Sequence, residues 1–146
     1  MITQVLSSEN MKQAFTQVLA NKGAAGIDGR SVNNLSSHLK AHWSSIKERV
    51  ESGSYQPDPV LGVEIPKSSG KTRLLGIPTV VDRLLQQALH QQLSPIFERD
   101  FQEHSYGFRP SRNAHQAIKQ AHQNINDGYQ DIVNIDLTSF FDEVSH

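Results

Sequence analysis

Apolar residues recur at intervals of three to four positions in two N-terminal stretches, and this period predicts two amphipathic helices. The first stretch follows the tetrapeptide "SSEN" and ends near Gly23, and the second ends near Gly53. The apolar faces consist of Met11, Phe15, Val18 and Leu19 in the first helix and of Leu35, Leu39, Trp43, Ile46 and Val50 in the second. Glycine is a common residue just past the end of a helix, which agrees with both boundaries.

The period changes from helical to alternating between residues 59 and 78. Apolar residues alternate on both sides of the polar loop "KSSGK", as Leu61, Val63 and Ile65 before it and as Leu75 and Ile77 after it. This pattern predicts a β-hairpin whose tip carries Lys67, Lys71 and Arg73. These cations are either ordinary solvated charges that discourage edge pairing or, for Lys67 and Arg73, a clamp for a triphosphate.

Two further helices and one strand are predicted after the hairpin. Thr79 is a suitable N-cap residue with Asp82 three positions on, and Ser111 can cap the second of these helices. The apolar faces consist of Val81, Leu85, Ala88 and Leu93 in the first and of Ala114, Ile118, Ala121 and Ile125 in the second. The apolar run "DIVNIDL" at residues 131–137 predicts a final strand. Helix, helix, hairpin, helix, helix, strand is an α+β order.

The composition is that of a folded protein without cysteine. Of the 146 residues, 36% are hydrophobic and 20% charged, which is neither a disordered nor a membrane-spanning composition. The lack of cysteine excludes disulfides, thiolate zinc sites and cysteine nucleophiles, and it agrees with a reducing cytoplasm. A formal net charge of −1 indicates that any contact with nucleic acid depends on local clusters of cations.

One carboxylate interrupts the final apolar run. Asp136 stands near the end of the predicted strand, on its more polar face. There it could bind magnesium, which takes one or two carboxylates together with phosphate oxygens of a substrate. It could equally be the N-cap of a helix that begins at "LTSFF". No other acid has an evident claim to be a second ligand, and Asp142 is better explained as a helix cap or a surface residue.

The segment "YGFRPSR" combines aromatic side chains with Arg109 and Arg112. Aromatic residues interleaved with arginines are typical of proteins that bind single-stranded nucleic acid. The same segment could be a structural turn in which Phe108 is buried and Pro110 begins the following helix. Both interpretations remain open on these residues.

Two other patterns have simpler explanations. The stretch "GAAGIDG" is rich in glycine, but it follows a helix and lacks the Lys-Ser/Thr ending of a nucleotide-binding P-loop. His38 and His42 are four residues apart on a predicted helix, a spacing that suits zinc, but no third ligand is evident. We therefore expect surface or partly buried histidines.

Four blocks in order resemble the N-terminal part of a bacterial group II intron-encoded reverse transcriptase of the maturase type. They are "NKGAAGIDGRSV", "IPKSSGKTRLLGIPTVVDRLLQQAL", "FERDFQEHSYGFRPSRNAHQAI" and "IVNIDLTSFFDEVSH". The resemblance implies the fingers of a right-hand polymerase at residues 1–130, with an N-terminal extension at 1–55 and the hairpin at 59–78. Residues 131–146 would begin the palm. The family's later aromatic-Ala-Asp-Asp motif, thumb and maturase region are not in the sequence, so we expect a truncated chain.

In the palm segment, the resemblance implies roles for four residues. Asp136 would be the first catalytic aspartate, whose carboxylate bridges both magnesium ions, and the carbonyl of Leu137 would be a second metal contact. Either Phe140 or Phe141 would be the bulky gate that excludes a 2′-hydroxyl and so selects deoxynucleotides, and the other would be a core aromatic beneath the strand. Phe140 is favoured because it would share a side with Asp136 if the strand continued that far.

In the fingers, the resemblance assigns Lys67 and Arg73 to the triphosphate of the incoming nucleotide. Lys71 would contact the nucleic-acid backbone. Arg109 and Arg112 would lie along the template groove, although Arg109 could equally be an internal brace.

The intact protein is therefore expected to be an RNA-directed DNA polymerase that copies its intron RNA for retrohoming and binds the intron to assist splicing. Its partners would be the group II intron RNA, an RNA template with a DNA primer, and deoxynucleoside triphosphates. A membrane is not expected among them. Its cofactor would be Mg²⁺ in a two-metal site that this chain half supplies, so the fragment alone would be inactive. An unpaired final strand could make the fragment a homodimer.

Two alternatives remain for the function. The first is a non-catalytic RNA-binding module that keeps the fingers architecture. The second is a related reverse transcriptase of a retron, a diversity-generating element or a CRISPR locus, against which "SYGFRPSRNAHQAI" argues.

Overall fold

The computed structural model of the chain describes residues 1–66, 70, 72–137 and 140–143, without the side chains of residues 141 and 142. The chain divides into two units, Met1–Asp100 and Phe101–His146, and each is described by itself.

The first unit combines α-helices with one antiparallel hairpin. In chain order its elements are α1 Ile2–Val5, α2 Ser8–Ala20, a 3-10 turn Val32–Asn34, α3 Leu35–Glu51, β1 Leu61–Pro66, β2 Thr72–Ile77 and α4 Val80–Phe97. The predicted helices and the hairpin are present close to their expected positions. Local signals account for the boundaries, since Ser7 accepts the backbone N–H of Asn10 at the start of α2, and Gly53 at φ +72° follows the end of α3.

The buried core lies among the helices of the first unit. Its members are Val5, Leu6, Met11, Ala14, Val18, Leu35, Ile46, Val80, Val81, Leu84 and Ala88. One buried amide joins three of these helices, because Asn10 Nδ2 donates to the carbonyls of Val5 at 2.7 Å and Ala88 at 2.9 Å. A buried amide with satisfied hydrogen bonds fixes a single register between the helices it joins.

The hairpin has the expected alternation. Its register pairs Leu61 with Ile77, Val63 with Leu75 and Ile65 with Arg73. Directly paired residues project on the same face of an antiparallel pair, so one face is apolar and ends at Arg73. Arg73 is thus the second residue of β2 and not part of the tip loop, which corrects the sequence prediction.

The second unit contains α5 Ala114–Asn126 and the short helix α6 Phe140–Glu143. Ser111 does not cap α5, because its φ of +59° is left-handed and an N-cap residue takes extended backbone angles. Asn113 caps the helix instead and forms a capping box with Gln116, with distances of 3.0 and 2.9 Å. The open alternative in which Pro110 begins the helix is also wrong, since α5 begins four residues later.

The predicted strand at residues 131–137 is not formed. This segment has no regular secondary structure, and Ile132, Val133, Ile135 and Leu137 expose between 67% and 85% of their surface. A strand needs a partner for its backbone N–H and C=O groups, and no described residue pairs with these. Dimerisation through this segment stays a prediction.

The α+β combination of helices with an antiparallel pair is confirmed. Among the described residues, no helix has the length and apolar character needed to cross a membrane.

Candidate functional site

The hairpin presents Arg73 to solvent. The side chain is exposed, and none of the carboxylates in the described part of the chain forms an ion pair with it. Arg73 is therefore available to an anionic ligand. Lys67 and Lys71, the other two predicted cations, lie outside the described residues.

A buried carboxylate lies at the base of the hairpin. Asp82, in the first turn of α4, exposes 3% of its surface and accepts the hydroxyl of Thr79 on Oδ2 at 2.6 Å. The same Oδ2 accepts the backbone N–H of Asp58 at 3.3 Å, and Oδ1 accepts the hydroxyl of Tyr55 at 2.7 Å. Thr79 also caps α4, as predicted, by accepting the N–H of Asp82 at 3.2 Å.

The environment of Tyr55 keeps its hydroxyl protonated. Burial, and after it the hydrogen bond to Asp82, raises the pKa of Tyr55 well above its ordinary value of 10.0. The guanidinium of Arg49 lies 5.1 Å from the centre of the Tyr55 ring and acts in the opposite direction as the smallest influence. Tyr55 is therefore a stable donor to Asp82 at neutral pH.

The glycine-rich loop packs onto the start of α4. A Cβ on Gly26 would lie 2.7 Å from the Cα of Thr79 and 2.8 Å from the carbonyl oxygen of Pro78. Arg83 donates from Nη2 to the carbonyl of Ala24 at 2.5 Å. Within the loop, Asp28 accepts the N–H of Arg30 and lies 3.5 Å from its Nε. Asp28 thus stabilises the loop from within.

The "YGFRPSR" loop is held by its own arginines. Arg109 Nη1 donates to the carbonyls of Gln102 at 2.7 Å and Ser105 at 2.9 Å, and its guanidinium lies over the ring of Phe101. These contacts are those of the internal brace that the sequence left open. Arg112 is half-buried and lies over the ring of Tyr106, 5.6 Å from its centre.

Phe108 is exposed, whereas the interpretation of this segment as a structural turn required it to be buried. Its ring is fully exposed and its φ is +54°, in the left-handed region that a residue with a bulky side chain seldom takes. An exposed aromatic ring on a braced loop is suited to stacking on a nucleobase. The sequence could not decide whether Phe108 is buried or exposed, because aromatic residues occur in cores and on binding surfaces alike.

Asp136 is exposed, and its Oδ1 accepts the backbone N–H of Leu137 at 2.9 Å. An N-cap residue accepts from a residue two or three positions on, so this hydrogen bond is not a cap bond. The described residues contain no group of three or more His, Cys, Asp or Glu side chains that could hold a metal. Asp136 can therefore supply one carboxylate to a metal site that needs further ligands.

Phe140 and Phe141, the two candidates for the sugar gate, are in a helix and not in a continuing strand. Phe140 begins α6 and exposes 51% of its surface, whereas the side chain of Phe141 lies outside the described residues. The argument that favoured Phe140 assumed a strand that reached this position, so it no longer holds. The choice between the two residues stays open.

His38 and His42 are neighbours, as their spacing predicted. Their ring centres are 4.6 Å apart, and neither histidine is buried. His38 is partly buried and His42 is exposed, as the sequence analysis expected.

The predicted site residues and the Asp82 network are divided between the two units. Arg73 and the Asp82 network belong to residues 1–100, and the arginine loop and Asp136 belong to residues 101–146. The contacts of Tyr55 and Asp58 with Asp82 were not anticipated. A carboxylate three residues after an N-cap, within an apolar period, was the only signal for them.

Comparison with known proteins defines the class. The family described as "Reverse transcriptase (RNA-dependent DNA polymerase)" matches residues 65–146, more than half of the chain. The chain belongs to this family.

Its relatives are intron-encoded proteins among others. It is 36% identical over 137 residues to "Group II intron-encoded protein LtrA" of Lactococcus lactis subsp. cremoris. This alignment covers 91% of this chain and 22% of that protein. It is 38% identical over 148 residues to "Protein YkfC" of Escherichia coli K12. This alignment covers 97% of this chain and 39% of that protein. "Nuclear intron maturase 1, mitochondrial" of Arabidopsis thaliana is 35% identical over 80 residues, 53% of this chain and 11% of that protein. The resemblance to group II intron reverse transcriptases is confirmed, and the chain spans well under half the length of each relative.

Proposed function

We propose that residues 1–130 form the fingers, and residues 131–146 the start of the palm, of an RNA-directed DNA polymerase of the group II intron type. The observation that carries this proposal is the family match at residues 65–146, which includes both Arg73 and Asp136. The exposure of Arg73 on a hairpin supports the nucleotide-binding part of the proposal.

On the fingers, Arg73 and Lys67 bind the triphosphate of the incoming deoxynucleotide. A guanidinium forms paired, charge-assisted hydrogen bonds with phosphate oxygens, and this neutralises charge as pyrophosphate leaves. Lys71 contacts the nucleic-acid backbone next to them.

On the palm segment, Asp136 and the carbonyl of Leu137 would hold Mg²⁺. A carboxylate has about four lone-pair sites, so the hydrogen bond from Leu137 leaves Asp136 capacity for a cation. Bound magnesium would activate the primer hydroxyl and stabilise the leaving group. Phe140 or Phe141 lies against the sugar and excludes a 2′-hydroxyl.

The arginine loop binds the single-stranded template. Because Arg109 Nη1 donates to two carbonyls of its own loop, Arg112 is the stronger candidate for a phosphate contact. Phe108 adds an exposed ring on which a base can stack. The template is the group II intron RNA, paired with a DNA primer, and binding of the same RNA assists its splicing.

The test is Mg²⁺-dependent primer extension by the protein that the complete reading frame encodes. Asp136→Ala is expected to lower the rate by about a hundredfold or more, because a metal ion supplies several kcal/mol of charge stabilisation. The matched control is Asp131→Ala, an exposed aspartate of the same segment, which should leave the rate unchanged. Residues 1–146 alone should be inactive, because the second carboxylate pair is not in this sequence.

Two outcomes would contradict the proposal. Extension that survives Asp136→Ala would show that Asp136 is not a metal ligand. An inactive complete protein that still binds intron RNA would instead support the RNA-binding module.

A further inference from the structure

The hairpin of residues 61–77 depends on its base for its orientation. Its strands pack on each other more extensively than on any described helix, and most of their residues are exposed. A strand rises about 3.3 Å per residue, so a tilt of about 10° at the base would displace Arg73 by roughly 2 Å. Whatever fixes the base therefore fixes the position of Arg73.

A single oxygen atom connects the two legs of this hairpin. Asp82 Oδ2 accepts the N–H of Asp58, which precedes β1, and the hydroxyl of Thr79, which follows β2. Asp82 Oδ1 accepts the hydroxyl of Tyr55, on the segment that leads into β1. Three hydrogen-bond donors, all of them on residues that precede α4, thus converge on one buried carboxylate.

Capping of α4 does not require an acid at this position. Thr79 performs the capping by accepting the backbone N–H of residue 82, whatever side chain that residue carries. A carboxylate is an acceptor on both oxygens, whereas the amide of an asparagine would turn a donor towards one of them. The burial of a charge is costly unless such hydrogen bonds satisfy it, so this acid is explained by the donors it collects.

We propose that Asp82 is a positioning residue that ties both legs of the hairpin to α4 and thereby orients Arg73 towards the incoming nucleotide. The orientation of Arg73 towards the nucleotide rests on the proposed function, whereas the attachment of the hairpin to α4 does not. The tie between the hairpin and α4 can be tested without any activity.

Amide hydrogen exchange tests the tie. In the protein from the complete reading frame, Asp82→Ala should speed exchange of the β1 and β2 amides about tenfold or more relative to the amides of α3. Tyr55→Phe removes one donor and should give a smaller change in the same amides, which keeps the test valid if Asp82→Ala does not fold. The matched control is Glu48→Ala, an exposed acid on α3, which should leave the ratio unchanged. Exchange that is no faster in the hairpin overturns the proposal.

Nucleotide kinetics test the positioning role. Asp82→Ala should raise the KM for nucleotide about tenfold or more while the Kd for template and primer changes less than about twofold, because a small misplacement of a binding group costs affinity at that group alone. Asp82→Asn, which keeps one acceptor, should fall between the wild type and Asp82→Ala.

A double variant shows whether Asp82 acts through Arg73. If it does, Asp82→Ala should raise the KM for nucleotide by a smaller factor in the Arg73→Ala background than in the wild type. Additive losses, or an unchanged KM in an active protein, would overturn the positioning role. A wild-type protein without polymerase activity would contradict the proposed function, and the exchange ratio would then decide the tie by itself.

Discussion

The two units of the chain differ in what their helices bury. In residues 1–100 the apolar faces of the helices meet in one core, and Leu35, Val80 and Leu84 are at most 1% exposed. In residues 101–146 none of the described residues is buried, although α5 has a clear apolar face. On that face Ile118 is 67% exposed and Ile125 57% exposed.

The difference shows that periodicity and capping predict a helix but do not predict its burial. α4 and α5 both have an N-cap side chain that accepts a backbone N–H, at Thr79 and Asn113. These local interactions set where each helix begins. Burial depends on residues distant in sequence, such as Asn10, whose side-chain amide donates to the carbonyl of Ala88 in α4.

The largest expected effect is a difference in the free energy of unfolding between a variant in α4 and a variant in α5. Leu84→Ala leaves a cavity in the core of the first unit and should lower the free energy of unfolding by about 2–5 kcal/mol. Ile118→Ala changes an exposed face and should stay within about 0.5 kcal/mol. Urea unfolding of residues 1–146 measures both.

Equal losses for these two variants would refute the comparison, since they would show that the face of α5 is packed as tightly as that of α4. A change in the urea dependence would indicate that the variant alters compactness as well as stability.

Most of the first unit was predictable because its signals are local. The helical period at residues 35–50, the alternation at residues 61–77 and the Thr79 cap each lie within a few residues of the element they define. The strand at 131–137 was predicted wrongly for the opposite reason. Its composition favours a strand, but a strand also needs a pairing partner that no local pattern supplies.

The candidate site was predictable as a set of residue types and not as a set of contacts. Arg73 and Asp136 were singled out from the sequence and its resemblance, whereas two of the three donors to Asp82 come from positions 24 and 27 residues away. The exposure of Phe108 was missed because it depends on a left-handed backbone that a bulky residue seldom takes. Such features arise from tertiary structure and leave weak traces in sequence.

A smaller effect should distinguish a packed glycine from an unpacked one. In Gly26→Ala the new methyl group would meet the backbone of Pro78 and Thr79 at less than 3.0 Å, which should destabilise the first unit by about 1–3 kcal/mol. Gly107→Ala, in the loop of the second unit, meets no atom within 4 Å and should change stability by less than about 0.5 kcal/mol. Thermal unfolding of the two variants measures the difference, and a harmless Gly26→Ala would show that the loop does not pack on α4.

The smallest effect concerns alkaline pH and the hydroxyl of Tyr55. Because burial and Asp82 raise the pKa of Tyr55 above 10.0, the folded chain keeps this proton while the unfolded chain releases it. The contribution of Tyr55 to stability is therefore complete below pH 10.0 and is lost as the pH rises towards the folded pKa. Tyr55→Phe has no such proton, so the stability difference between wild type and variant should be constant below pH 10.0 and shrink as the pH rises above it. Urea unfolding at each pH measures that difference, and a constant gap would mean that the Tyr55 hydroxyl does not donate to a buried acceptor.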